Sequence, residues 1–436
     1  MLRSALACFV AGALLAPCGL AQEVKASPQS VGLNPERLNE ISHVVQSSVD
    51  RGEIAGAVTL VARHGQVVWL NATGDQDRES HKPMRTDSIF RICSMTKPIV
   101  SLAVMMLYEE GRFQLDDPIS KFIPEFKDEK VLVTPKEGKA YTIPASKPIT
   151  IRNLLTHTSG LTYNWDPVLG SYYKDANIAT GLMPYDGTIA DNVKQLARLP
   201  LLFNPGEKWN YGLSVDVLGY LIEIVSGKPL DQFLKERIFE PLGMHDTFFY
   251  VPEDKQDRLA TAYTWYEGKG LQRFPETPIT EGSFSYSADY PIHGPKKLFA
   301  GGAGLCSTAA DYARFCQLML SKGRCGDKQL ISRKSVELMT HDQLGPNFPE
   351  QSFGLGFGID GVKTPLHGLG SPGQYQWGGF YYTAFTIDPV EDMITVFMAQ
   401  LHPGDPDTAG NFHTVAYTAV EDGERSEQPS GHAGSQ

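Results

Sequence analysis

Strand-forming sequences lie near both ends of this chain, and the long middle between them has a different character. Residues 57–62 and 67–70 are two apolar runs separated by a short turn-forming segment. Residues 377–387 and 393–398 are again apolar and rich in β-branched or aromatic side chains. Residues 110–300 instead contain short helical patterns between loops rich in Pro, Gly, Tyr and Asp. The economical interpretation is one α+β domain whose sheet is built from both ends and interrupted by a mainly helical insertion.

Amphipathic helices are predicted in both parts. Asn34 can cap a helix that has Pro35 at its first position, and Gly52 follows the end of its apolar periodicity. Other apolar periodicities predict helices over residues 98–107, 151–155, 214–225 and 308–320.

The two ends of the chain look like segments outside the folded domain. Arg3, the apolar run 5–16 and the small residues Gly19-Leu20-Ala21 are typical of an export signal that is cleaved after the last of them. A lipid anchor on Cys18 is an alternative, although Pro17 fits that signal poorly. No later segment has the run of about 18 apolar residues that a transmembrane helix needs. We therefore expect an exported protein, periplasmic or extracellular in a bacterium, with this organisation: signal peptide 1–21, domain 30–415 (sheet part 30–110 and 300–415, insertion 111–299), disordered tail 421–436.

The net charge of −11 restricts the kinds of partner. Nucleic-acid binding needs a basic stripe, and attachment to an anionic membrane surface needs a basic cluster. An acidic chain favours neither, so we expect a small-molecule substrate. The sequence leaves the oligomeric state open.

Four of the six cysteines follow the predicted signal: Cys93, Cys306, Cys316 and Cys325. Their spacing matches no zinc motif. Buried free thiols are the favoured interpretation, and a bridge between Cys316 and Cys325 in an oxidising compartment is the alternative. Burial at a strand end also explains Cys93 better than a nucleophilic role does.

Ser94-Met-Thr-Lys97, at the start of a long apolar helix, is the strongest candidate for chemistry. Residues at i and i+3 lie on the same face of a helix, one turn apart. Serine is a poor nucleophile at its free pKa, and a desolvated lysine can take its proton. Pro98 fits the first turn, where backbone N–H groups have no helical partner.

The same pattern occurs at Ser171-Tyr-Tyr-Lys174, so the motif alone is weak. No sustained apolar helix follows Ser171, whereas Ser94 follows a short apolar stretch and opens a buried one. Local context therefore favours Ser94.

Several other chemistries lack their motifs. There is no Gly-x-Ser-x-Gly, no His-Glu-x-x-His and no dinucleotide fingerprint after a strand, so we expect neither a cofactor nor a metal. The run Gly301-Gly-Ala-Gly-Leu305 can cradle a phosphate or allow close packing, and packing is favoured because the Lys-Ser/Thr of a P-loop is missing. His157 is a candidate general base, but a loop histidine bonded to backbone is the favoured alternative.

Three motifs, taken in their order along the chain, resemble those of a known superfamily. Ser94-x-x-Lys97, then Tyr211 in Trp-Asn-Tyr-Gly-Leu-Ser, then Trp377-Gly378-Gly379 on a late strand together resemble the serine β-lactamase and penicillin-binding-protein superfamily. The closest resemblance is to class C β-lactamases and family VIII carboxylesterases. It covers roughly residues 30–415 and implies an antiparallel sheet flanked by helices.

The resemblance also implies roles. Ser94 attacks the acyl carbon, Lys97 activates it, and Tyr211 shares the base role or protonates the leaving group. The residues leave open whether Lys97 or Tyr211 holds the proton at rest. The backbone N–H groups of Ser94 and Phe380 would bind the oxyanion, and Gly378 and Gly379 would let substrate lie close to the strand.

Two departures from the superfamily pattern affect the substrate. Trp377 replaces the lysine that helps to hold a substrate carboxylate, and Leu213 replaces the asparagine that contacts an acylamino group, while Ser214 is an open candidate to compensate. Loss of a charge-assisted contact costs about 1.5–3 kcal/mol. We therefore predict a serine carboxylesterase for uncharged esters. The alternatives are a β-lactamase or D-amino-acid peptidase or transpeptidase, and a non-catalytic penicillin-binding or cell-wall sensor protein.

Overall fold

The structure, a computed structural model, describes Val24 and residues 26–421 except His367 and Asp405. Its strands, in chain order, are β1 Gly56–Arg63, β2 Gln66–Asp77, β3 Lys82–Pro83, β4 Phe90–Arg91, β5 Lys130–Val133, β6 Tyr141–Pro144, β7 Tyr263–Tyr266, β8 Gly270–Arg273, β9 Ile279–Glu281, β10 Phe284–Tyr286, β11 Cys306–Ser307, β12 Arg324–Cys325, β13 Lys328–Gln329, β14 Gly358–Ile359, β15 Tyr375–Gly379, β16 Thr383–Asp388 and β17 Met393–Met398.

The α-helices are α1 Pro35–Asp50, α2 Thr96–Glu109, α3 Ile151–Leu155, α4 Gly170–Asp175, α5 Ile189–Leu196, α6 Ser214–Ser226, α7 Leu230–Leu234, α8 Glu240–Leu242, α9 Ala309–Leu320, α10 Arg333–Met339 and α11 Thr408–Thr418. A π-helical turn at Lys235–Phe239 joins α7 to α8.

Both ends of the chain contribute to one large antiparallel sheet. Its strand order is β14-β15-β16-β17-β1-β2-β3, so the N-terminal β1 lies directly beside the C-terminal β17. In this register Val58 faces Met398 and Arg63 faces Met393. The predicted α+β class, an antiparallel sheet with flanking helices, is confirmed.

Strand β1 is an interior strand of this sheet, between β17 and β2, and is buried along its whole length. Val58 and Leu60 belong to the core shared with α2 and α9, whereas Ala57 and Val61 belong to the core shared with α1 and α11. Side chains alternate between the two faces of a strand, so a strand covered on both faces needs apolar residues throughout. This explains its continuous apolar run.

The predicted helices occur close to their expected positions. Asn34 caps α1 by accepting from the Arg37 N–H at 3.0 Å, and Thr308 caps α9 in the same way through the Asp311 N–H. The middle of the chain also contains short two-stranded hairpins, β5–β6, β7–β8 and β9–β10, that the sequence pattern did not indicate. The boundaries predicted for the insertion stay a prediction.

One strand prediction is wrong in detail. Residues 377–387 are two antiparallel strands, β15 and β16, joined by a tight turn at 380–382. Tyr382 has a φ of 63°, which reverses the chain without glycine. The turn is occupied by aromatic residues, so composition did not reveal it.

The expectations for the termini and the cysteines have different outcomes. The predicted signal 1–21 and Cys18 lie outside the described residues, as does the predicted tail beyond Glu421. Cys93, Cys306 and Cys316 carry buried free thiols, so the alternative bridge between Cys316 and Cys325 is wrong. Among the described residues, no helix has both the length and the apolar character to cross a bilayer.

Candidate active site

Ser94 lies where a short strand meets the buried helix α2. It is the middle residue of a 3-10 turn, Cys93–Met95, that leads directly into that helix. Cys93 has a φ of 43°, a left-handed backbone conformation that non-glycine residues adopt only when the surroundings hold them there. Burial raises the pKa of the Cys93 thiol to about 11, so this neighbour is a neutral thiol and not a competing nucleophile.

Lys97 is the buried partner of Ser94. It is 1% exposed, and its Nζ lies 3.2 Å from Ser94 Oγ. Nζ also donates to the Tyr163 hydroxyl at 2.9 Å and to the Gly302 carbonyl at 2.7 Å. Three acceptors match the three protons of an ammonium group. The spacing predicted from the sequence therefore does bring the two side chains together.

Tyr211 reaches Ser94 from the segment just before α6. Its hydroxyl donates to Ser94 Oγ at 2.6 Å, and Lys97 Nζ lies 4.5 Å from the centre of its ring. A Cβ on the next residue, Gly212, would lie 2.6 Å from the Leu161 carbonyl oxygen, so glycine is needed for this segment to pack so closely. Ser94 Oγ is thus held between a phenol and an amine, each within reach of its proton.

Tyr163 is part of the same network and was missed in the sequence. It is buried, it accepts the hydrogen bond from Lys97, and its ring lies 5.4 Å from that of Tyr211. Burial and the neighbouring Tyr211 raise the pKa of Tyr163 well above its usual value, so it stays a neutral phenol. Sequence reasoning missed Tyr163 because it lies in a loop shortly after His157 and belongs to no recognisable motif.

Asp216 is a second residue that sequence reasoning missed. Its carboxylate lies in the buried face of α6, where Oδ1 accepts from the Gly302 N–H at 3.3 Å. Gly302 therefore binds Asp216 through its N–H and Lys97 through its carbonyl. Burial raises the pKa of Asp216 to about 6, and the charge of Lys97 opposes that rise. The sequence did contain a signal for it, because Asp216 is an acidic residue on the apolar face of the helix predicted over residues 214–225.

The glycine run before α9 serves close packing. A Cβ at Gly301 would lie 2.5 Å from the Val215 carbonyl oxygen, and one at Gly302 would lie 2.5 Å from Asp216 Oδ2. These distances are too short for any side chain. The structure therefore supports the packing interpretation of the run, and it brings the Gly302 carbonyl to Lys97.

The end of β15 lies against the segment that carries Ser94. A Cβ at Gly379 would lie 2.4 Å from the Ile92 carbonyl oxygen, two residues before Ser94. Gly378 is exposed, and Trp377 is partly exposed with its ring 5.4 Å from that of Tyr211. Phe380 follows at the start of the turn. Trp377 thus lies next to Tyr211 and Gly379 next to the segment that leads to Ser94, while the substrate-binding roles of all four residues, including the oxyanion role of the Phe380 N–H, stay predictions.

The position of the missing amide is buried. Leu213, which stands at that position, is fully buried, and Ser214 is also buried with its hydroxyl 2.8 Å from that of Ser159. The Ser214 hydroxyl thus has a partner inside the protein, and whether it compensates for the asparagine stays an open prediction.

His157 supports Tyr211 by packing. Its ring centre lies 4.9 Å from that of Tyr211, and its Nδ1 accepts a 3.4 Å hydrogen bond from the Gly212 N–H. Burial, with a contribution from Lys97, lowers the pKa of His157 well below its usual value. A neutral histidine bonded to backbone agrees with the favoured interpretation.

The fold and this constellation are those of a serine hydrolase, with Ser94 as the candidate nucleophile at the head of a buried helix. Within the described part of the chain, no group of three His, Cys, Asp or Glu side chains is arranged to hold a metal ion.

Comparison with known proteins identifies the family. The Beta-lactamase family model matches residues 41–419, so the chain belongs to that family. Among its relatives, Esterase EstB of Burkholderia gladioli is 33% identical over 79% of this chain and 86% of its own length. A putative D-alanyl-D-alanine carboxypeptidase of Escherichia coli K12 is 30% identical over 88% of this chain and 86% of its own length.

A solved structure agrees with this assignment. EstCE1, described as a hydrolase with promiscuous acyltransferase activity, superimposes with a TM-score of 0.75 at 28% identity, covering 90% of this chain and 99% of that one. The family thus includes esterases, acyltransferases and carboxypeptidase-like proteins.

Proposed function

We propose that this protein is an exported serine carboxylesterase that hydrolyses uncharged carboxylic esters through an acyl-enzyme on Ser94. The observation that carries the proposal is the position of Ser94 Oγ, 2.6 Å from the Tyr211 hydroxyl and 3.2 Å from Lys97 Nζ. Both neighbours are within the distance that general acid–base catalysis requires.

The proposed first step is acylation. The Lys97–Tyr211 pair can accept a proton once one of its two members is deprotonated. Ser94 Oγ then attacks the ester carbonyl carbon, and its proton passes to that member. The tetrahedral intermediate collapses, the bond to the alcohol oxygen breaks, and Tyr211 returns the proton to the leaving alcohol. In the second step water attacks the acyl carbon, gives its proton to the same pair and releases the acid, while Ser94 recovers its proton.

The preference for uncharged esters is supported by what replaces the usual polar contacts. Trp377 supplies an indole where the superfamily has a lysine, and Leu213, at the asparagine position, is a fully buried apolar residue. A substrate carboxylate would be desolvated here without that cation, which is unfavourable. The 33% identity to Esterase EstB favours the same reaction class.

The test is a substrate panel combined with covalent labelling. We expect turnover of 4-nitrophenyl acetate, slow or no cleavage of a chromogenic cephalosporin, and a fluorophosphonate adduct on Ser94 located by peptide mass spectrometry. Rapid cephalosporin turnover with weak ester turnover would favour the β-lactamase alternative. A stable adduct with no turnover of either would favour a penicillin-binding sensor.

Export is a separate part of the proposal and rests on the N-terminal pattern. We expect the mature protein to begin at Gln22, which intact-mass measurement of the protein from a periplasmic fraction would show. A protein retained in the cytoplasm with Met1 present would contradict it.

A further inference from the structure

Six aromatic rings form a continuous arc of ring contacts that includes Tyr211, the hydrogen-bond partner of Ser94, and that starts and ends beside the same glycine pair. Successive ring centres are separated by 5.4, 5.4, 4.1, 4.9 and 5.8 Å, in the order Trp377, Tyr211, Tyr163, Trp165, Phe284 and Phe380. Trp377 and Phe380 flank Gly378 and Gly379 on the chain. The two ends of the arc therefore meet at the end of β15, beside the exposed Gly378.

The two sides of this arc are suited to different parts of an ester. Tyr211 is the proposed donor to the leaving alcohol, so the alcohol lies on its side, next to Trp377. The oxyanion would lie toward the backbone of Phe380. The remaining substituent of the tetrahedral carbon, the acyl group, then faces the part of the arc formed by Trp165, Phe284 and Phe380.

This part of the arc is apolar, and one of its rings is uncovered. Trp165 stacks on Tyr163 at an interplanar angle of 25° yet remains 44% exposed, whereas Phe284 is only 4% exposed. Phe380 stacks on His402 at 3.6 Å, and burial lowers the pKa of His402 to about 4, so this imidazole is uncharged at neutral pH. Flat rings with accessible faces bind other flat rings by offset or edge-to-face packing.

We propose that Trp165, Phe284 and Phe380 form an acyl subsite that selects aromatic acyl groups over small aliphatic ones, with Trp165 as the specificity-determining residue. This inference rests on the proposed esterase function. It adds a substrate class, esters of arylacetic or related aryl acids, and assigns that preference to the acyl side of the scissile bond.

The test compares two esters that share one leaving group, 4-nitrophenyl acetate and 4-nitrophenyl phenylacetate. The variants are Trp165→Ala, Trp165→Phe and the control Trp265→Ala. Trp265 is a second half-exposed tryptophan, 41% exposed, in β7 and outside the arc. Because an apolar contact in a pocket discriminates by about 10-fold or more, we expect Trp165→Ala to lose about 10-fold in kcat/KM for the phenylacetate, mainly through KM.

The acetate is the internal control for folding and catalysis. We expect the ratio of phenylacetate to acetate kcat/KM to fall about 10-fold in Trp165→Ala and to recover largely in Trp165→Phe. Trp265→Ala should keep the wild-type turnover of both esters. Equal losses on both esters, or no loss on either, would overturn the acyl subsite while leaving the esterase function in place. Absence of wild-type turnover on both esters would overturn the esterase function, and the subsite with it.

Discussion

The chain contains the pattern Ser-x-x-Lys twice, and the two copies have opposite environments. Ser94 and Lys97 lie at the start of α2, whose residues from Thr96 to Leu107 are all buried. Ser171 and Lys174 lie on the exposed face of the six-residue helix α4, which is anchored by the buried Tyr173. Lys174 donates to the Gly282 carbonyl at 3.3 Å, at the surface.

The difference shows what a nucleophilic serine needs beyond its spacing to a lysine. Lys97 is removed from water and its nitrogen is held by Ser94, Tyr163 and Gly302. Lys174 is a solvated surface cation, which water and counterions screen. Burial, a second proton-carrying group at Tyr211 and a fixed turn at Cys93 distinguish the first copy from the second.

The largest effect is expected at the two serines. Ser94→Ala should reduce kcat/KM for 4-nitrophenyl acetate by about 10⁴-fold, because it removes the atom that forms the acyl-enzyme. Ser171→Ala, the matched control, should stay within about 2-fold. Fluorophosphonate labelling of wild type should modify Ser94 alone, and a label on Ser171 would reverse the comparison.

The two lysines provide the next test. Lys97→Met keeps the length of the side chain but removes its nitrogen, so we expect about a 10³-fold loss of kcat. Lys174→Met should leave kcat unchanged. Circular dichroism should show that both variants are folded, and an active, folded Lys97→Met protein would remove this residue from the mechanism.

Two tyrosine variants test whether Tyr211 takes part in proton transfer. Tyr211→Phe should lower kcat by about 10²-fold to 10³-fold, because the ring remains but its proton is lost. Tyr172→Phe, at a 40% exposed position beside Ser171, is the control and should be silent. The pH dependence of kcat should also change in Tyr211→Phe, and an unaltered pH profile with unaltered kcat would leave Lys97 as the sole base.

The smallest effect concerns stability and the buried carboxyl of Asp216, which bonds to Gly302 as Lys97 does. The pKa of Asp216 is about 6 in the folded protein, above its unfolded value, so the folded state keeps this proton longer. Wild-type stability should therefore fall as pH rises between about 4 and 6, by at most about 3 kcal/mol, and level off above that.

Asp216→Asn lacks this titration. In urea denaturation, we expect the unfolding free energy of the variant minus that of wild type to increase from pH 4 to pH 6, because only wild type loses stability over this range. Parallel stability curves for the two proteins would show that Asp216 titrates normally.

Sequence patterns predicted those elements whose residue types match their burial and backbone conformation in the fold. The apolar pattern of residues 57–62 predicted the strand β1, and Asn34 and Thr308 marked helix starts. The same logic failed at 380–382, where aromatic side chains required by the site occupy a turn that glycine or asparagine would ordinarily mark. It also missed α11, whose Gly, Asn and Thr residues have low helix propensity and which is stabilised by packing on α1 and the sheet.

The sequence by itself determined the identity and order of Ser94, Lys97, Tyr211 and the Trp377–Gly379 strand, because helical spacing and superfamily motifs are local. Only the tertiary structure showed that Tyr163 and Asp216 join them, that the Ser214 hydroxyl bonds to Ser159, and that rings from four separate segments contact one another beside Tyr211. The bonds from Lys97 to Tyr163 and to Gly302 join residues 66 and 205 positions apart along the chain. They exist because the packed core fixes both partners, and no local pattern encodes such a pairing.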